Sequence, residues 1–339
     1  MQLDNRKFQL KIFNLPVIET IDDLAECTRL SPPLIKYLTY RADHLYKVFH
    51  IPKKIGEFRE IAHPCRELKA IQGWILRHIL DKLSPSENSK GFELGSSTLE
   101  NASPHIGSNF LLNIDLKDFF PTIVASKVYG VFHSIGYNKK IAGALTSLCV
   151  FKGRLPQGAP TSPKLANLVC LKLDARIQGY AGPRGIVFTR YADDISLSAQ
   201  TLKKIQNAKN LIHTIVASEG LEINNRKTSI SGTRKRKKIT GLVITENSVG
   251  IGRDLTRQIR AKIHHLFIEK STNFSHVNGL LAYTYSVDKK SYRKLDSFIE
   301  KLKLKYPLCP ATTELYKIKN STITQFTKVC YRTSRIKKL

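Results

Sequence analysis

Three carboxylates are the residues whose type and spacing bear most directly on chemistry: Asp115 and the adjacent pair Asp193 and Asp194. Neighbouring carboxylates repel, so placing two together in a turn is costly unless a cation sits between them. Mg²⁺ answers that need, because it is held by one or two carboxylates and completed by substrate phosphates. A third carboxylate on a neighbouring strand allows two metals about 4 Å apart, one activating a hydroxyl and one stabilising the leaving oxygen. An isolated Asp-Asp pair is far more often a solvated turn, so its surroundings decide.

The surrounding pattern supplies strands. Leu112, Ile114 and Leu116 alternate with Leu111, Asn113 and Asp115, a half-buried strand that turns Asp115 away from the packed face. Residues 185–190 and 195–199 read as two strands flanking Tyr191-Ala192-Asp193-Asp194, a β-hairpin with the acidic pair at its tip. Ile205, Ala208, Leu211, Ile212 and Ile215 form a helical stripe after it. Upstream, Leu68, Ile71, Ile75 and Ile79 predict a helix over 67–83, stopped by Ser84-Pro85-Ser86-Glu87-Asn88.

Charge narrows the class of partner. The 339 residues carry 55 Lys plus Arg against 27 Asp plus Glu, a formal charge of +28. Self-repulsion on that scale calls for a polyanion, either nucleic acid or an anionic membrane face. No run of 18 apolar residues exists, and the charged opening Met1-Gln2-Leu3-Asp4-Asn5-Arg6-Lys7 lacks the apolar core of a signal peptide. Nucleic acid is therefore the expected partner. Residues 253–339 hold 19 Lys plus Arg and 6 Asp plus Glu, a net +13 in about a quarter of the chain, which reads as a helical nucleic-acid clamp. Six scattered cysteines, none closer than 21 residues to another, fit neither a zinc site nor a disulfide framework. Free thiols in a reducing cytoplasm are the expectation.

The motifs around the carboxylates carry a resemblance. Phe188-Thr189-Arg190-Tyr191-Ala192-Asp193-Asp194 resembles the palm signature of reverse transcriptases, and Asn113-Ile114-Asp115-Leu116-Lys117-Asp118-Phe119-Phe120 is similar to the strand carrying their first catalytic Asp. Leu155-Pro156-Gln157-Gly158-Ala159-Pro160-Thr161-Ser162-Pro163 is similar to their Gln-Gly loop. A narrower resemblance is to the bacterial retron reverse transcriptases. Asn101-Ala102-Ser103-Pro104-His105 matches their Asn-Ala-x-x-His element, and Ile239-Thr240-Gly241 their Val-Thr-Gly element with Ile in place of Val. Ile51-Pro52-Lys53-Lys54 with Gly56 and Arg59, then Leu68-Lys69-Ala70-Ile71-Gln72, resemble their fingers; Tyr180-Ala181-Gly182 and Arg260-Ala261-Lys262-Ile263-His264-His265 extend the likeness.

The resemblance implies an α+β right-hand polymerase: fingers and N-terminal helices over 1–109, a palm with an antiparallel sheet and Tyr-Ala-Asp-Asp hairpin over 110–245, and a basic helical thumb over 246–339. It implies that Asp115, Asp193 and Asp194 ligate two Mg²⁺ ions, with the Leu116 carbonyl as a further ligand. Lys53, Lys54 and Arg59 would hold the nucleotide triphosphate. Gln157 and Gly158 would lie where backbone approaches the nucleotide closely, beside Asp118 and Phe119, although a core position suits Phe119 better. Phe120 would place its ring against the sugar 2′ position and exclude ribonucleotides. Lys227 would protonate departing pyrophosphate, or be a plain surface lysine.

Asn101 and His105, four apart, would share a helix face and either bind RNA or brace the palm. Arg253, Arg257, Arg260, Lys262, His264 and His265 would contact RNA; no recognised spacing makes His264, His265 and His276 a metal site. Arg234-Lys235-Arg236-Lys237-Lys238 reads as a phosphate contact or a solvated loop.

The expected activity is RNA-directed DNA synthesis on a structured noncoding RNA of the msr-msd type, primed by an internal guanosine 2′-hydroxyl. The branched product would stay bound in an antiphage defence complex with an operon-encoded effector resembling a nucleoside deoxyribosyltransferase. Further partners are dNTPs and a higher-order assembly; no membrane is involved. Two rivals are a group II intron reverse transcriptase and a catalytically silent nucleic-acid scaffold or antitoxin. The 94 residues from 246 to 339 fit a thumb without an added maturase domain, and clustered negative charge gives a pure binder of phosphates no advantage.

Overall fold

The computed structural model of the chain describes residues 2–52, 56, 58–93 and 95–315, with side chains from residue 6. Among the described residues, those up to 101 group with 108–235 as one unit, and 102–107 group with 236–315 as another.

The first unit opens with helices α1 (Gln2–Ile12), α2 (Ile21–Thr28) and α3 (Pro32–Tyr40). Helix α2 starts at a capping box in which the Thr20 hydroxyl accepts from Asp23 N–H and the Asp23 carboxylate accepts from Thr20 N–H. Strands β1 (Tyr46–Pro52) and β2 (Phe58–Pro64) make a separate antiparallel hairpin, and α4 (Arg66–His78) follows. The stripe predicted for 67–83 is buried as expected, with Leu68, Ile71, Ile75 and Ile79 at 0–1% exposure. The α-helix itself ends at His78, and Leu80–Lys82 form a 3₁₀ turn. Helix α5 (Thr98–Ala102) then leads toward the central sheet.

That sheet joins β3 (Phe110–Asp115), β4 (Val187–Tyr191), β5 (Asp194–Ala199) and β6 (Ser229–Ser231) in the antiparallel order β4-β5-β3-β6. Between β3 and β4 run α6 (Phe119–Thr122), α7 (Ala125–Ser134), α8 (Lys139–Cys149), α9 (Ser162–Val169) and α10 (Leu171–Ala181); α11 (Leu202–Ser218) links β5 to β6. Helix α10 packs on β4, and α11 on β3 and β5. Their apolar stripes meet Leu112, Ile114, Ile195 and Leu197 in one core. Each such Leu or Ile contributes about 1.5–3 kcal/mol on leaving water. The half-buried reading of β3 needs correcting at one position: Leu111 is as buried (1%) as Leu112, although it lies on the Asn113 and Asp115 side. That side of the sheet is polar but enclosed, with Ser196 Oγ on Asn113 Oδ1 at 3.0 Å and Ser108 Oγ on Ser198 Oγ at 2.9 Å.

In the second unit β7 (Lys237–Ile239), β8 (Leu242–Ile244) and β9 (Val249–Gly250) form a small antiparallel sheet. Thr240 and Gly241 turn β7 into β8 with φ of +45° and +85°, the two left-handed positions of a type I′ turn, which explains a glycine there. The basic run 234–238 is therefore not wholly a loop: Lys237 and Lys238 enter β7, and Arg236 pairs with Asp254 at 2.7 Å. Helices α12 (Gly252–Phe267), α13 (Phe274–Val287), α14 (Lys289–Lys305) and α15 (Ala311–Glu314) complete the described part. Asp288 caps α14 by accepting from Ser291 N–H at 2.9 Å.

Candidate active site

The register of the central sheet brings the three carboxylates to one edge. Asp194, the first residue of β5, lies opposite both Asp115 of β3 and Tyr191 of β4. Alternation puts Asp115, Asp194, Asn113, Ser196 and Thr189 on one face, and Phe188, Arg190, Ile195 and Ile114 on the other, helix-packed face. Ala192 and Asp193 form the two-residue turn between β4 and β5. Ala192 sits at φ +58°, a left-handed conformation that costs a non-glycine residue about 1–2 kcal/mol.

Backbone contacts lock this edge. Leu116 N–H donates to the Asp193 carbonyl at 2.9 Å, which ties the turn to the end of β3. The segment after α11 adds a second support: Asn224 N–H donates to the Asp115 carbonyl at 2.8 Å, and Lys117 N–H to the Glu222 carbonyl at 2.8 Å. The same segment delivers Lys227, whose Nζ lies 2.7 Å from Asp115 Oδ1.

Charge crowding shows in the titration of the pair. Partial burial, then the charges of Asp193 and Asp115, push the Asp194 carboxyl up to about 6, with Lys227 opposing; the residue still reaches solvent. Asp193 is raised chiefly by burial and by Asp115, and is held down by a backbone hydrogen bond, Lys227 and Arg59. The Lys227 ammonium is raised, first through its bond to Asp115 and then through the charges of all three carboxylates. A site whose carboxylates resist ionising together favours a cation. Among the described residues no three His, Cys, Asp or Glu side chains close around one ion. By chemistry, the carboxylate oxygens of the trio are of the type Mg²⁺ takes alongside water and substrate phosphates.

The other expected residues spread over the surrounding elements. Arg59, exposed on β2, is near enough to act on Asp193; Lys53 and Lys54 lie outside the described residues. Gln157 and Gly158 lie against β2, where Ala62 N–H donates to the Gln157 carbonyl at 2.9 Å. Gly158 has φ +127°, and a Cβ there would come within 2.8 Å of the Ala62 carbonyl oxygen. A side chain at this glycine would therefore meet β2.

Asp118 is exposed with φ +43°. Phe119 is 4% exposed and belongs to the core, while Phe120 is half-buried, 6.0 Å from the exposed ring of Phe92. Asn101 and His105 are 0% and 1% exposed, an interior placement and not an RNA-facing one, and burial lowers the His105 imidazole to about 4. Arg253, Arg257, Arg260, Lys262, His264 and His265 are all exposed on α12. Arg253, Arg257, Arg260 and His264 follow one another at intervals of four, three and four along a single face. Arg260 lies 4.2 Å over the Phe298 ring of α14.

One buried residue beside the site escaped the sequence reading. Arg190 is 0% exposed and meets Asp174 of α10 through two 2.7 Å bonds. The available signal was its parity: it shares the apolar face with Phe188 and Ile195, where a charge demands a partner.

Comparison with known proteins shows the family. The family "Reverse transcriptase (RNA-dependent DNA polymerase)" matches residues 51–244. Over 311 residues the chain is 54% identical to the Retron Ec86 reverse transcriptase of Escherichia coli, covering 90% of this chain and 97% of that protein. The chain belongs to the retron reverse transcriptases. A more distant relative, the Retron Mx65 reverse transcriptase of Myxococcus xanthus, is 31% identical over 85% of this chain and 73% of its own length. Among solved structures, telomerase from Candida albicans with a fragment of telomeric RNA aligns with TM-score 0.46 at 13% identity, over 80% of this chain and 61% of that one.

Membership makes the chain an RNA-directed DNA polymerase of the right-hand class. Reverse transcriptases bind RNA and DNA and generally use a divalent metal, usually Mg²⁺. No helix among the described residues is long and apolar enough to cross a membrane.

Proposed function

We propose that this reverse transcriptase copies part of a structured noncoding RNA of the msr-msd type into single-stranded DNA, with Asp115, Asp193 and Asp194 as its metal-binding catalytic residues. The observation that carries the assignment is the β3–β5 register, which sets Asp115 opposite Asp194 with Asp193 in the adjoining turn. Two Mg²⁺ ions at these carboxylates would supply charge neutralisation at the attacking hydroxyl and the departing pyrophosphate. The Leu116 carbonyl, just beyond the end of β3, would be a further ligand for them.

The protein's own residues position and neutralise. Lys227, whose Nζ lies 2.7 Å from Asp115 Oδ1, would donate a proton to the departing pyrophosphate. Arg59 balances the triphosphate charge from the β2 side, and Lys53 and Lys54, outside the described residues, are proposed to share that task. The Gln157–Gly158 turn and Asp118 border the nucleotide, and the half-buried ring of Phe120 limits the room at the sugar 2′ position. With these roles, residues 1–109 are proposed as fingers, 110–245 as palm and 246–339 as thumb, the palm then taking in β7 and β8 of the second unit. The exposed stripe Arg253, Arg257, Arg260 and His264, flanked by Lys262 and His265, contacts RNA phosphates, since side chains cannot read the deep, narrow A-form major groove.

Priming by an internal guanosine 2′-hydroxyl would leave the DNA joined to the RNA by a 2′,5′ branch. The product would remain bound in a cytoplasmic antiphage assembly with an effector resembling a nucleoside deoxyribosyltransferase. The test is to purify the protein with its neighbouring RNA locus, treat the bound nucleic acid with RNase or DNase, and run a denaturing gel. A DNase-sensitive band that shifts with RNase and is missing from Asp193→Asn/Asp194→Asn is expected. RNA alone in both lanes would overturn the proposal.

A further inference from the structure

The acidic hairpin is gripped from its helix-packed face by side chains that the chemistry above does not use. Arg190 donates through Nε and Nη2 to the two oxygens of Asp174, each at 2.7 Å, and both residues are 0% exposed. Its Nη1 donates twice more, to Asn167 Oδ1 at 3.1 Å and to the carbonyl of Ala192 at 3.0 Å. That carbonyl belongs to the turn residue immediately before Asp193. Asn167, itself 0% exposed, passes the contact on: its Nδ2 donates to the Gly91 carbonyl at 2.8 Å and to Glu93 Oε1 at 2.9 Å. Glu93 Oε2 meets Lys164 Nζ at 2.5 Å.

The backbone closes the same grip. Arg190 N–H donates to the Asn88 carbonyl at 2.8 Å, and Lys90 N–H to the Arg190 carbonyl at 2.7 Å. Gly91 then lies so close to the turn that a Cβ would sit 2.8 Å from the Ala192 nitrogen. Ala192 is thus held by its carbonyl from Arg190 and by van der Waals contact from Gly91, in a left-handed conformation that it would not keep unaided.

A buried ion pair is a poor source of stability, because apolar residues of the same volume often do as well. What such a pair supplies is a fixed position, and here one bond of Arg190 ends on the turn and another on Asn167, which bonds the Gly91 that packs against the turn. We propose that Arg190, Asp174, Asn167 and Gly91 are positioning residues for catalysis, fixing the Ala192–Asp193 turn so that Asp193 and Asp194 meet the metal ions in one geometry. The proposal rests on the assignment of those two carboxylates as metal ligands. It adds to it a support reached from the opposite side of the sheet, through residues that touch neither metal nor nucleotide.

The test uses the purified protein–RNA complex and two variants that disturb the turn in unrelated ways. Asn167→Ala removes the relay between Arg190 and Glu93, and Gly91→Ala pushes on Ala192 without deleting a polar group. Three quantities are read: Mn²⁺ binding by electron paramagnetic resonance without dNTP, the single-turnover rate per active molecule at saturating dNTP, and the thermal midpoint. Outer-shell partners of metal ligands are typically worth about 10–100-fold in metal affinity or activity, so both variants should weaken Mn²⁺ binding and slow the rate by about tenfold or more. The KM for dNTP and the affinity for RNA should stay within about twofold.

Glu93→Gln, at the part-exposed end of the relay, should shift both readouts in the same direction by less, and supplies the answer where Asn167→Ala or Gly91→Ala does not fold. Variants that melt earlier while keeping wild-type Mn²⁺ binding and rate would overturn the proposal, leaving the network a purely structural one. Asp193→Asn is run beside them: if it keeps Mn²⁺ binding and rate, the carboxylate assignment itself fails; if it loses both while the relay variants match wild type, only the positioning role fails.

Discussion

The two units handle charge in opposite ways. At the edge of the central sheet, like charges are forced together: Asp115, Asp193 and Asp194 share one corner, with Lys227 at 2.7 Å from Asp115 and burial raising the pair in the turn. On α12, like charges are spread along an exposed face, and the helix is held by its opposite stripe, where Ile259, Ile263, Leu266 and Phe267 are 0–2% exposed. Converged charge suits a task in which a few tenths of an ångström matter. Spread charge suits attraction to a polyanion, whose strength depends on number and ionic strength more than on placement. The first arrangement therefore needs scaffolding behind it and the second does not.

The sharpest way to break the comparison is at the corner. Asp193→Asn should lower primer extension on the order of 10³-fold while RNA affinity stays within about twofold, because charge stabilisation of the transition state is removed and the phosphate-binding surface is intact. Equal losses in both would mean that the corner and the helix act as one surface.

Lys227→Gln comes next. Removing a proton donor should slow the chemical step by about 10²-fold, and the loss should be largest at high pH, where no alternative acid is available. A plain surface lysine would show no change in a single-turnover assay.

The α12 stripe should respond differently. Arg253→Ala/Arg257→Ala should reduce the dependence of RNA binding on salt by about 0.7–0.9 log unit per log unit of salt for each phosphate the helix no longer neutralises, with the chemical rate unchanged. A salt response identical to wild type would remove the stripe from the RNA interface.

The smallest effect is on stability. Because the Asp194 carboxyl is raised to about 6 from an ordinary value of 3.8, the folded chain binds more protons than the unfolded one between those pH values, and ionisation penalises the fold above them. Without divalent metal, Asp194→Asn should therefore raise the thermal midpoint by about 2 °C at neutral pH, a gain that disappears as pH falls through 6 toward 4. A gain that grew on acidification would contradict the sign of the shift.

Much of the corner was legible in the sequence. The alternation in 111–116 and the two strands around Tyr191-Ala192-Asp193-Asp194 place the carboxylates, because a period of two is a local property. The helical stripes at 68–79 and 205–215 are local for the same reason; the first is buried throughout, and the second is buried except at Leu211, which is 36% exposed. What the sequence did not disclose is what lies across from each residue. Gly158 signals a close approach, but only the fold shows that it is to Ala62. Arg190 is an ordinary charge within a motif until Asp174, Asn167 and Gly91 arrive from 16, 23 and 99 residues away in the chain. Asn101 and His105 share a motif with surface-facing possibilities, and their burial depends on packing no local pattern encodes. Long-range polar partners are set by tertiary register, which is where the reading of a single sequence loses its grip.

The measurement that bears most directly on the central claim is Mg²⁺-dependent addition of one dNTP to a DNA primer annealed on an RNA template, by wild type and by Asp115→Asn, Asp193→Asn and Asp194→Asn separately. The account predicts extension by wild type and a loss of about 10²-fold or more in each variant, with the primer–template still bound. Any one of the three variants extending at the wild-type rate would contradict it.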